Sequence, residues 1–169
     1  VEWVILDGSK IETFIENKNR LENFSPINNF LRTKHINMSE KNIFGIYQCM
    51  NYGLKISQGD SILFLNGGDT FFCKNSLNKL FQSNNNLKHH KAVSFGQAKI
   101  ISKVGISWNF PGKNMSNIKL WLRYFEPNHQ SMMVSSDIAK DTLFKEECLI
   151  SGDKFWKKEV LYKAAKLNY

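Results

Sequence analysis

The 169-residue sequence predicts one α/β domain with a mostly parallel sheet flanked by helices. Two short apolar runs, residues 3–6 and 61–65, end in turns that carry an acid, as expected of strands buried on both faces. Between them, apolar residues recur at steps of three and four over residues 44–56, which indicates a helix with one buried face. Strand, helix and strand in this order predict a βαβ unit, whose two strands run parallel.

The segments around this unit are assigned in chain order. Residues 10–24 are polar with apolar positions at helical spacing, and they predict a surface helix. Residues 77–81 also predict a helix, whereas the polar runs 83–86 and 88–91 predict a solvated loop.

The second half of the chain contains three strand-like segments, at residues 92–95, 100–101 and 131–134. Residues 108–117 include a Pro-Gly pair and predict irregular chain. A final helix is predicted from residue 151 onward, because apolar side chains recur there every four residues, at Trp156, Val160 and Ala164. No internal repeat or linker divides residues 1–169, so a single domain is expected.

The two acidic turns are the first candidates for a binding site. Asp7 follows the first predicted strand, and Asp69 follows the second. Because parallel strands end at the same edge of a sheet, the two carboxylates are expected to share one rim. Open α/β sheets bind their ligands in the crevice at that rim.

The charge of the chain favours a polyanionic partner. The formal net charge is +8, from 23 Lys and Arg against 15 Asp and Glu. The basic residues are scattered, which favours a small phosphorylated ligand or a peripheral membrane contact over nucleic acid. A solvated basic surface with no partner is the simplest alternative. No apolar run approaches the roughly 20 residues that cross a bilayer, and no signal peptide is recognisable, so a cytoplasmic protein is predicted.

Several kinds of chemistry are not indicated by the sequence. The three cysteines are odd in number and widely spaced, which predicts reduced, mostly buried thiols and neither a disulfide framework nor a zinc site. The sequence also lacks a P-loop, a dinucleotide-binding glycine motif, a zinc-protease helix motif and a nucleophile elbow. ATPase, dehydrogenase, zinc protease and serine hydrolase functions are therefore not predicted.

A set of blocks in a fixed order resembles bacterial family 2 glycosyltransferases of the capsule and exopolysaccharide type. The blocks are VEWVILDGS (1–9), SE (39–40), GIYQCMNYG (45–53), GDSILFLNGGD (59–69), HQ (129–130) and ISGDKFW (150–156). Each block alone is weakly specific, but together, in the order of the family, the blocks are fairly specific. The resemblance spans nearly the whole chain.

The resemblance implies a GT-A fold and transfer of a sugar from a nucleotide diphosphate donor to an acceptor hydroxyl, with inversion at the anomeric carbon. It further implies a divalent cation, Mn²⁺ or Mg²⁺, and a saccharide or lipid-linked acceptor used in surface polysaccharide synthesis. The inner face of the membrane is the implied location. Family members begin with one more strand and helix and continue beyond the last helix, so the resemblance implies a chain truncated at both ends.

Four residues of the two acidic turns match the donor side of the family. Asp7, with Gly8 beside it, is implied to contact the nucleotide base, since a carboxylate accepts hydrogen bonds from base N–H groups. The same Asp-Gly pair would equally well shape a turn. Asp69 is implied to hold the cation that bridges the donor phosphates, and Asn66 to hydrogen-bond the ribose or phosphate. The commoner family pattern has two further acids in this loop, where this chain has Asn66 and Gly68.

Two residues match the acceptor side. Asp153 is implied to be the general base that takes the proton from the acceptor hydroxyl. An aspartate after Ser-Gly at a helix start is also an ordinary N-cap, so both roles are open. His129 matches a family histidine near the acceptor, although a lone histidine is more often structural.

Two alternatives come from other functional classes. The implied truncation and the acids missing near Glu40 and at Gln48 favour a catalytically silent fragment that serves as a binding module. A basic nucleic-acid binder is supported by charge alone, and its affinity would fall steeply with salt.

Overall fold

A computed structural model describes residues 1–23, 32–85, 93–110, 126–148 and 150–166 of the chain. Its helices and strands, in chain order, are β1 Glu2–Asp7, α1 Ile11–Asn23, β2 Arg32–Asn37, α2 Ile46–Ile56, β3 Ser61–Leu63, α3 Ser76–Asn85, β4 Val93–Phe95, β5 Ala98–Ile101, β6 Ser107–Phe110, a 3₁₀ turn His129–Ser131, β7 Met132–Ser135, α4 Ser136–Lys140 and α5 Gly152–Lys166. The predicted mixed α/β class is therefore confirmed.

The strands form three small sheets. β1 pairs with β2 in parallel, β3 and β4 both pair antiparallel with β7, and β5 pairs antiparallel with β6. Among the described strands only β1 and β2 run parallel, so the expected mostly parallel sheet is not seen there. The hydrogen-bonded neighbour of β1 is β2 and not β3, which differs from the simple βαβ unit expected from the two apolar runs.

β2 escaped the sequence analysis because its sequence, RTKHIN, contains a single large aliphatic residue. Its outer residues Arg32 and Thr33 are exposed, while Asn37 at its end is buried. Such a strand has neither an apolar run nor a clear alternation, and its position depends on pairing with β1.

The core lies between the three-stranded sheet and helices α2, α4 and α5. Its buried side chains are Met50, Leu54, Met132, Val134, Ile138, Ala139, Phe144, Trp156, Val160 and Ala164. Met50 and Leu54 are buried on α2, and Trp156 and Val160 are buried on α5. The two core helices predicted from this spacing are therefore confirmed. The buried Trp156 indole donates to the Thr142 carbonyl at 2.7 Å, which satisfies its polar atom.

Helix α2 also contacts the β1–β2 pair. A Cβ built on Gly53 would lie 3.0 Å from Cδ1 of Leu6, so the absence of a side chain lets the helix approach β1 closely. At the start of β1, the Glu2 carboxylate accepts a hydrogen bond from the backbone N–H of Gln58. These contacts connect the two-stranded sheet to the helix that covers the core.

Two loop predictions need correction. Trp108–Phe110, expected in an irregular segment, belongs to β6, because it pairs in register with β5; residues 111–117 of that prediction lie outside the described residues. Ser83–Asn85, expected in a loop, are the last residues of α3, whereas 86 and 88–91 lie outside the described residues.

The described helices include none long and apolar enough to cross a membrane. All three cysteines are free thiols, as predicted. Their predicted burial is wrong, since Cys73 is exposed and Cys49 and Cys148 are partly exposed.

Candidate active site

Asp153 lies in the first turn of α5, which begins at Gly152. Because the helix begins at Gly152, Asp153 is not its N-cap, and the capping role considered for it is wrong. Its carboxylate contacts side chains from three other positions. A negative charge in the first turn is also favourable to the helix dipole.

Three side chains surround the Asp153 carboxylate. His129 Nδ1 lies 3.3 Å from Oδ2, and Lys157 Nζ, one helical turn along α5, lies 3.1 Å from the same oxygen. The Tyr47 hydroxyl lies 3.5 Å from Oδ1, a long hydrogen bond. The contact with His129, aided by Lys157 and opposed by burial, holds the pKa of Asp153 well below its usual range. The carboxylate is therefore charged at neutral pH.

His129 stands at the start of the 3₁₀ turn that leads into β7. The turn is capped by Asn128, whose side-chain oxygen accepts a hydrogen bond from the backbone N–H of Gln130 at 2.9 Å. The His129 side chain is only 13% exposed. Its second ring nitrogen, Nε2, is buried and has no hydrogen-bond partner within the described ranges. A buried polar atom of this kind is costly unless a ligand or water fills the place beside it.

The residue after His129 contacts the second predicted acid. The Gln130 side-chain amide donates to Oδ2 of Asp69 at 2.8 Å. Asp69 closes the turn after β3, where its backbone N–H donates to the Asn66 carbonyl at 3.1 Å and Gly68 adopts a left-handed φ of 92°. Adjacent residues of one turn therefore contact Asp69 and Asp153, two acids that are 84 positions apart in the sequence.

An aromatic cluster holds α5 beneath this site. The Tyr47 ring stacks on Phe144 with centroids 5.7 Å apart, and Phe144 stacks on Trp156 at 4.7 Å. A Cβ built on Gly152 would lie 2.7 Å from Cε2 of Tyr47. Only a glycine lets the start of α5 approach the Tyr47 ring this closely, and this contact sets the position of Asp153.

Asp69 is the cation ligand that the family resemblance implies. Within the described ranges, no three His, Cys, Asp or Glu side chains are grouped closely enough to hold a metal ion among themselves. Asp69 is exposed and supplies one carboxylate. Magnesium often binds proteins through one or two carboxylates, with substrate phosphates and water as the other ligands. Asp69 therefore fits a cation that arrives with a diphosphate, and does not fit a resident metal centre.

Asp7 belongs to a different network, at the end of β1. Its carboxylate accepts hydrogen bonds from the Ser9 backbone N–H and hydroxyl, and from the Asn17 amide at 3.0 Å; His35 Nε2 also lies 3.0 Å away. Burial opposes its ionisation, but the hydrogen bonds from Ser9, Asn17 and His35 outweigh it and hold the pKa of Asp7 well below its usual range. The turn-shaping role considered for Asp7 is thus present in the structure.

No hydrogen bond in the described part of the chain links the Asp7 network to that of Asp69 and Asp153. Asp7 instead lines a separate cavity of about 360 Å³, together with Trp3, Ile5, Asn17, Arg20, Leu21 and His35. Gly8 is beside it on the surface, and its carbonyl accepts a hydrogen bond from Ser39 Oγ at 3.4 Å. The tertiary structure therefore brings Asp69, His129 and Asp153 into one connected set of contacts and leaves Asp7 and Gly8 outside it.

Three contributors to the site were not identified from sequence. Lys157 lies four residues after Asp153, so helical spacing was a usable signal for their ion pair. Tyr47 was interpreted as a core residue, and it is also that, because it stacks on Phe144. Gln130 gave no signal apart from its place next to His129.

Comparisons with protein-family models, with curated proteins and with solved structures found no match to this chain.

Proposed function

We propose that the chain is a glycosyltransferase domain, which moves a sugar from a nucleotide diphosphate donor onto an acceptor hydroxyl. The observation that supports this function best is the 3₁₀ turn, because His129 contacts the Asp153 carboxylate and Gln130 contacts Asp69. Asp69, the candidate donor-side acid, and Asp153, the candidate base, thus contact adjacent residues of one short segment. The block resemblance to family 2 glycosyltransferases and the net charge of +8 are in keeping with this proposal.

The reaction requires a group that removes a proton from the acceptor hydroxyl as its oxygen attacks the anomeric carbon. In the proposed site, the charged Asp153 carboxylate holds His129 through Nδ1, while Nε2 has no partner in the described part of the chain. We assign proton uptake to this pair, with the partly exposed Asp153 carboxylate as the base and the buried His129 as the residue that positions it. The bond from the anomeric carbon to the diphosphate breaks as the new glycosidic bond forms.

Asp69 is assigned to the donor side of the reaction. A divalent cation, Mn²⁺ or Mg²⁺, would be held by Asp69 and by the donor phosphates, and would stabilise the charge on the departing diphosphate. The Gln130 amide positions the Asp69 carboxylate by a 2.8 Å hydrogen bond. Asn66, whose backbone closes the same turn, is the proposed contact to ribose or phosphate.

The proposal extends to the finer fold and the setting. The proposed finer fold is a GT-A arrangement, in which Asp7 with Gly8 would border the base of the nucleotide. Hydrogen bonds already occupy the Asp7 carboxylate, so its contribution there is mainly to hold the turn in shape. An acceptor used in surface polysaccharide synthesis, saccharide or lipid-linked, is the proposed second substrate.

The decisive experiment measures nucleotide binding by calorimetry, with UDP and Mn²⁺, for the wild type, Asp69→Asn and Asp60→Asn. Asp60 and Asp69 stand before and after the same strand, β3, which makes Asp60→Asn a matched control for the loss of one acid. We expect Mn²⁺-dependent binding in the wild type and in Asp60→Asn, with weaker binding in Asp69→Asn. Equal affinities in all three proteins would remove Asp69 from the donor site, and no binding of UDP, GDP or dTDP in the wild type would refute the transferase proposal.

The catalytically silent binding module remains the second candidate, and one observation favours it. Among the described residues, Asp69 is the only carboxylate at the proposed cation position. Its loop has Asn66 and Gly68 where the commoner family pattern has two further acids. Turnover distinguishes the candidates: nucleotide binding without release of UDP from a panel of UDP-sugars and acceptors would favour the binding module.

A further inference from the structure

The positive charge of the chain is concentrated in one stretch of the sequence. Residues 70–125 contain nine of the 23 Lys and Arg residues and none of the 15 Asp and Glu residues. The rest of the chain is nearly neutral. The basic residues are spaced apart within the stretch, so it is the absence of acids, and not a lysine tract, that makes it basic.

Within this stretch, residues 98–110 form a two-stranded sheet of their own, which is called the basic hairpin here. It consists of β5 and β6, which pair only with each other among the described strands. The connecting turn is closed by the hydrogen bonds from Ser102 N–H to the Ile106 carbonyl, at 2.8 Å, and from Gly105 N–H to the Ser102 carbonyl, at 3.0 Å. Gly105 has a φ of 83°, a conformation that favours glycine, so the sequence is well suited to this tight turn.

Large apolar side chains are exposed at the tip of the basic hairpin. Val104 in the turn is 80% exposed, and Ile101 and Ile106 on either side of it are 66% and 64% exposed. Trp108, one residue pair further from the tip, is 49% exposed. A two-stranded hairpin has little stability of its own in water, and an apolar tip on it is normally covered by a partner.

The charges around the tip indicate the chemistry of that partner. Lys103 in the turn and Lys99 on β5 are both exposed, and no acid lies in residues 98–110. Two exposed lysines near exposed aliphatic side chains, with no acid beside them, suit an anionic lipid surface. Tryptophan also prefers the boundary between headgroups and acyl chains. Single-stranded nucleic acid would instead be bound mainly by stacking on aromatic rings, and Trp108 is the one aromatic ring among the four exposed side chains named above.

We infer that the basic hairpin docks the protein on an anionic membrane surface, with Val104 and Ile106 entering the boundary of the acyl chains and Lys99 and Lys103 among the headgroups. Trp108 then lies at headgroup depth. This inference is independent of the proposed transferase activity, because the hairpin shares no residue with the site around Asp153.

The test is co-sedimentation of the whole chain with phosphatidylcholine vesicles, with and without phosphatidylglycerol. We expect binding that requires phosphatidylglycerol and weakens as salt is raised. Val104→Ser combined with Ile106→Ser should reduce the partition constant by roughly tenfold or more, from the loss of two buried aliphatic side chains. Lys103→Gln should reduce it by roughly fivefold, the effect of one positive charge near the surface.

Matched controls come from exposed residues elsewhere on the described surface. Leu143→Ser removes an apolar side chain that is 59% exposed, and Lys55→Gln removes an exposed lysine on α2. Both control variants should bind vesicles like the wild type. Brominated lipid should quench Trp fluorescence in the wild type and in Trp3→Phe, and should quench Trp108→Phe distinctly less.

Three results would each overturn the inference. The first is an absence of vesicle binding in the wild type, and the second is binding that the hairpin variants leave unchanged. The third is tight binding of a single-stranded oligonucleotide that the hairpin variants abolish, since the partner of this surface would then be nucleic acid. None of these results depends on whether the chain transfers sugar.

Discussion

His129 Nδ1 lies 3.3 Å from Oδ2 of Asp153, and this contact joins the turn before β7 to the first turn of α5. The two residues were each identified from the sequence, but their pairing comes from the tertiary structure. Because the pair is the proposed proton acceptor, most of the predictions on activity concern it.

Asp153→Asn should lower the rate of sugar transfer by at least about 100-fold, the usual contribution of a general base. Nucleotide affinity should change little, because Asp153 contacts no residue assigned to the donor. The measurement is release of UDP under saturating substrates, together with calorimetry of UDP binding. Glu159→Gln, on an exposed part of the same helix, is the control and should keep full activity. Unchanged turnover in Asp153→Asn would remove this residue from the mechanism.

The proposed pair should also act as a unit. If His129 works by positioning Asp153, the double variant His129→Gln with Asp153→Asn should be no slower than the slower single variant, since residues that act together have non-additive effects. The measurement is a double-mutant cycle on kcat. Two independent effects that multiply in the double variant would show that the residues act separately.

Gly152→Ala should destabilise the protein, because the added Cβ would lie 2.7 Å from Cε2 of the Tyr47 ring. Overpacking of this kind costs about 1–3 kcal/mol in the free energy of unfolding. Activity should fall as well, since the shift of the helix start displaces the neighbouring Asp153. Urea denaturation measures the first effect, and Gly8→Ala, where nothing lies within 4 Å of the added Cβ, is the control. A Gly152→Ala protein as stable as the wild type would show that the Tyr47 ring moves aside freely.

Asp7→Asn should reduce the free energy of unfolding by about 2 kcal/mol, the scale of hydrogen bonds to a charged group. The carboxylate is contacted by Ser9, Asn17 and His35, and an amide in its place would turn a donor toward some of these donors. Glu16→Gln, at an exposed position in the middle of α1, removes one acid without such contacts and should leave stability unchanged. Equal stability of the two variants in urea would contradict a structural role for the Asp7 network.

Acid should destabilise the protein through the same carboxylates. The pKa values of Asp7 and Asp153 in the folded state lie well below that of an unfolded aspartate, about 3.9. Below that value the unfolded state binds more protons than the folded state, so stability is complete above it and falls as pH decreases. Urea unfolding at pH values from 7 to 3 should show a decline that begins near pH 4–5. The decline should be shallower in Asp7→Asn than in the wild type. Equal slopes in these two proteins would contradict a contribution of Asp7 to the acid sensitivity.

Elements with a strong apolar period could be predicted from the sequence. Helix α2, with Met50 and Leu54, and helix α5, with Trp156 and Val160, were both expected where they occur, because burial of one helical face leaves a repeat of three and four in the sequence. β2 was missed because it is mostly polar, and β6 because it has only four residues and precedes a Pro-Gly pair; both depend on a partner strand.

The sequence offered individual candidates for the site, but not their arrangement. Asp69, His129 and Asp153 were selected individually, whereas the contact of Gln130 with Asp69 depends on how distant segments pack. The ion pair of Asp153 with Lys157 follows from helical spacing alone. Asp7 was expected beside Asp69, because the two apolar strands were thought to be neighbours. β1 pairs instead with β2, so Asp7 joins the network of His35.

The sequence by itself determined the mixed α/β class, the two core helices and the basic character of the chain, since these depend on local spacing and composition. It also supplied the acidic residues that are candidates for the site. The tertiary structure decided which of those acids meet and which strands pair. A hydrogen bond between residues far apart in the chain depends on how separate elements pack, and local spacing carries no information about that packing. For the same reason, the exposure of Val104 and Ile106 at the hairpin tip became apparent only in the folded chain.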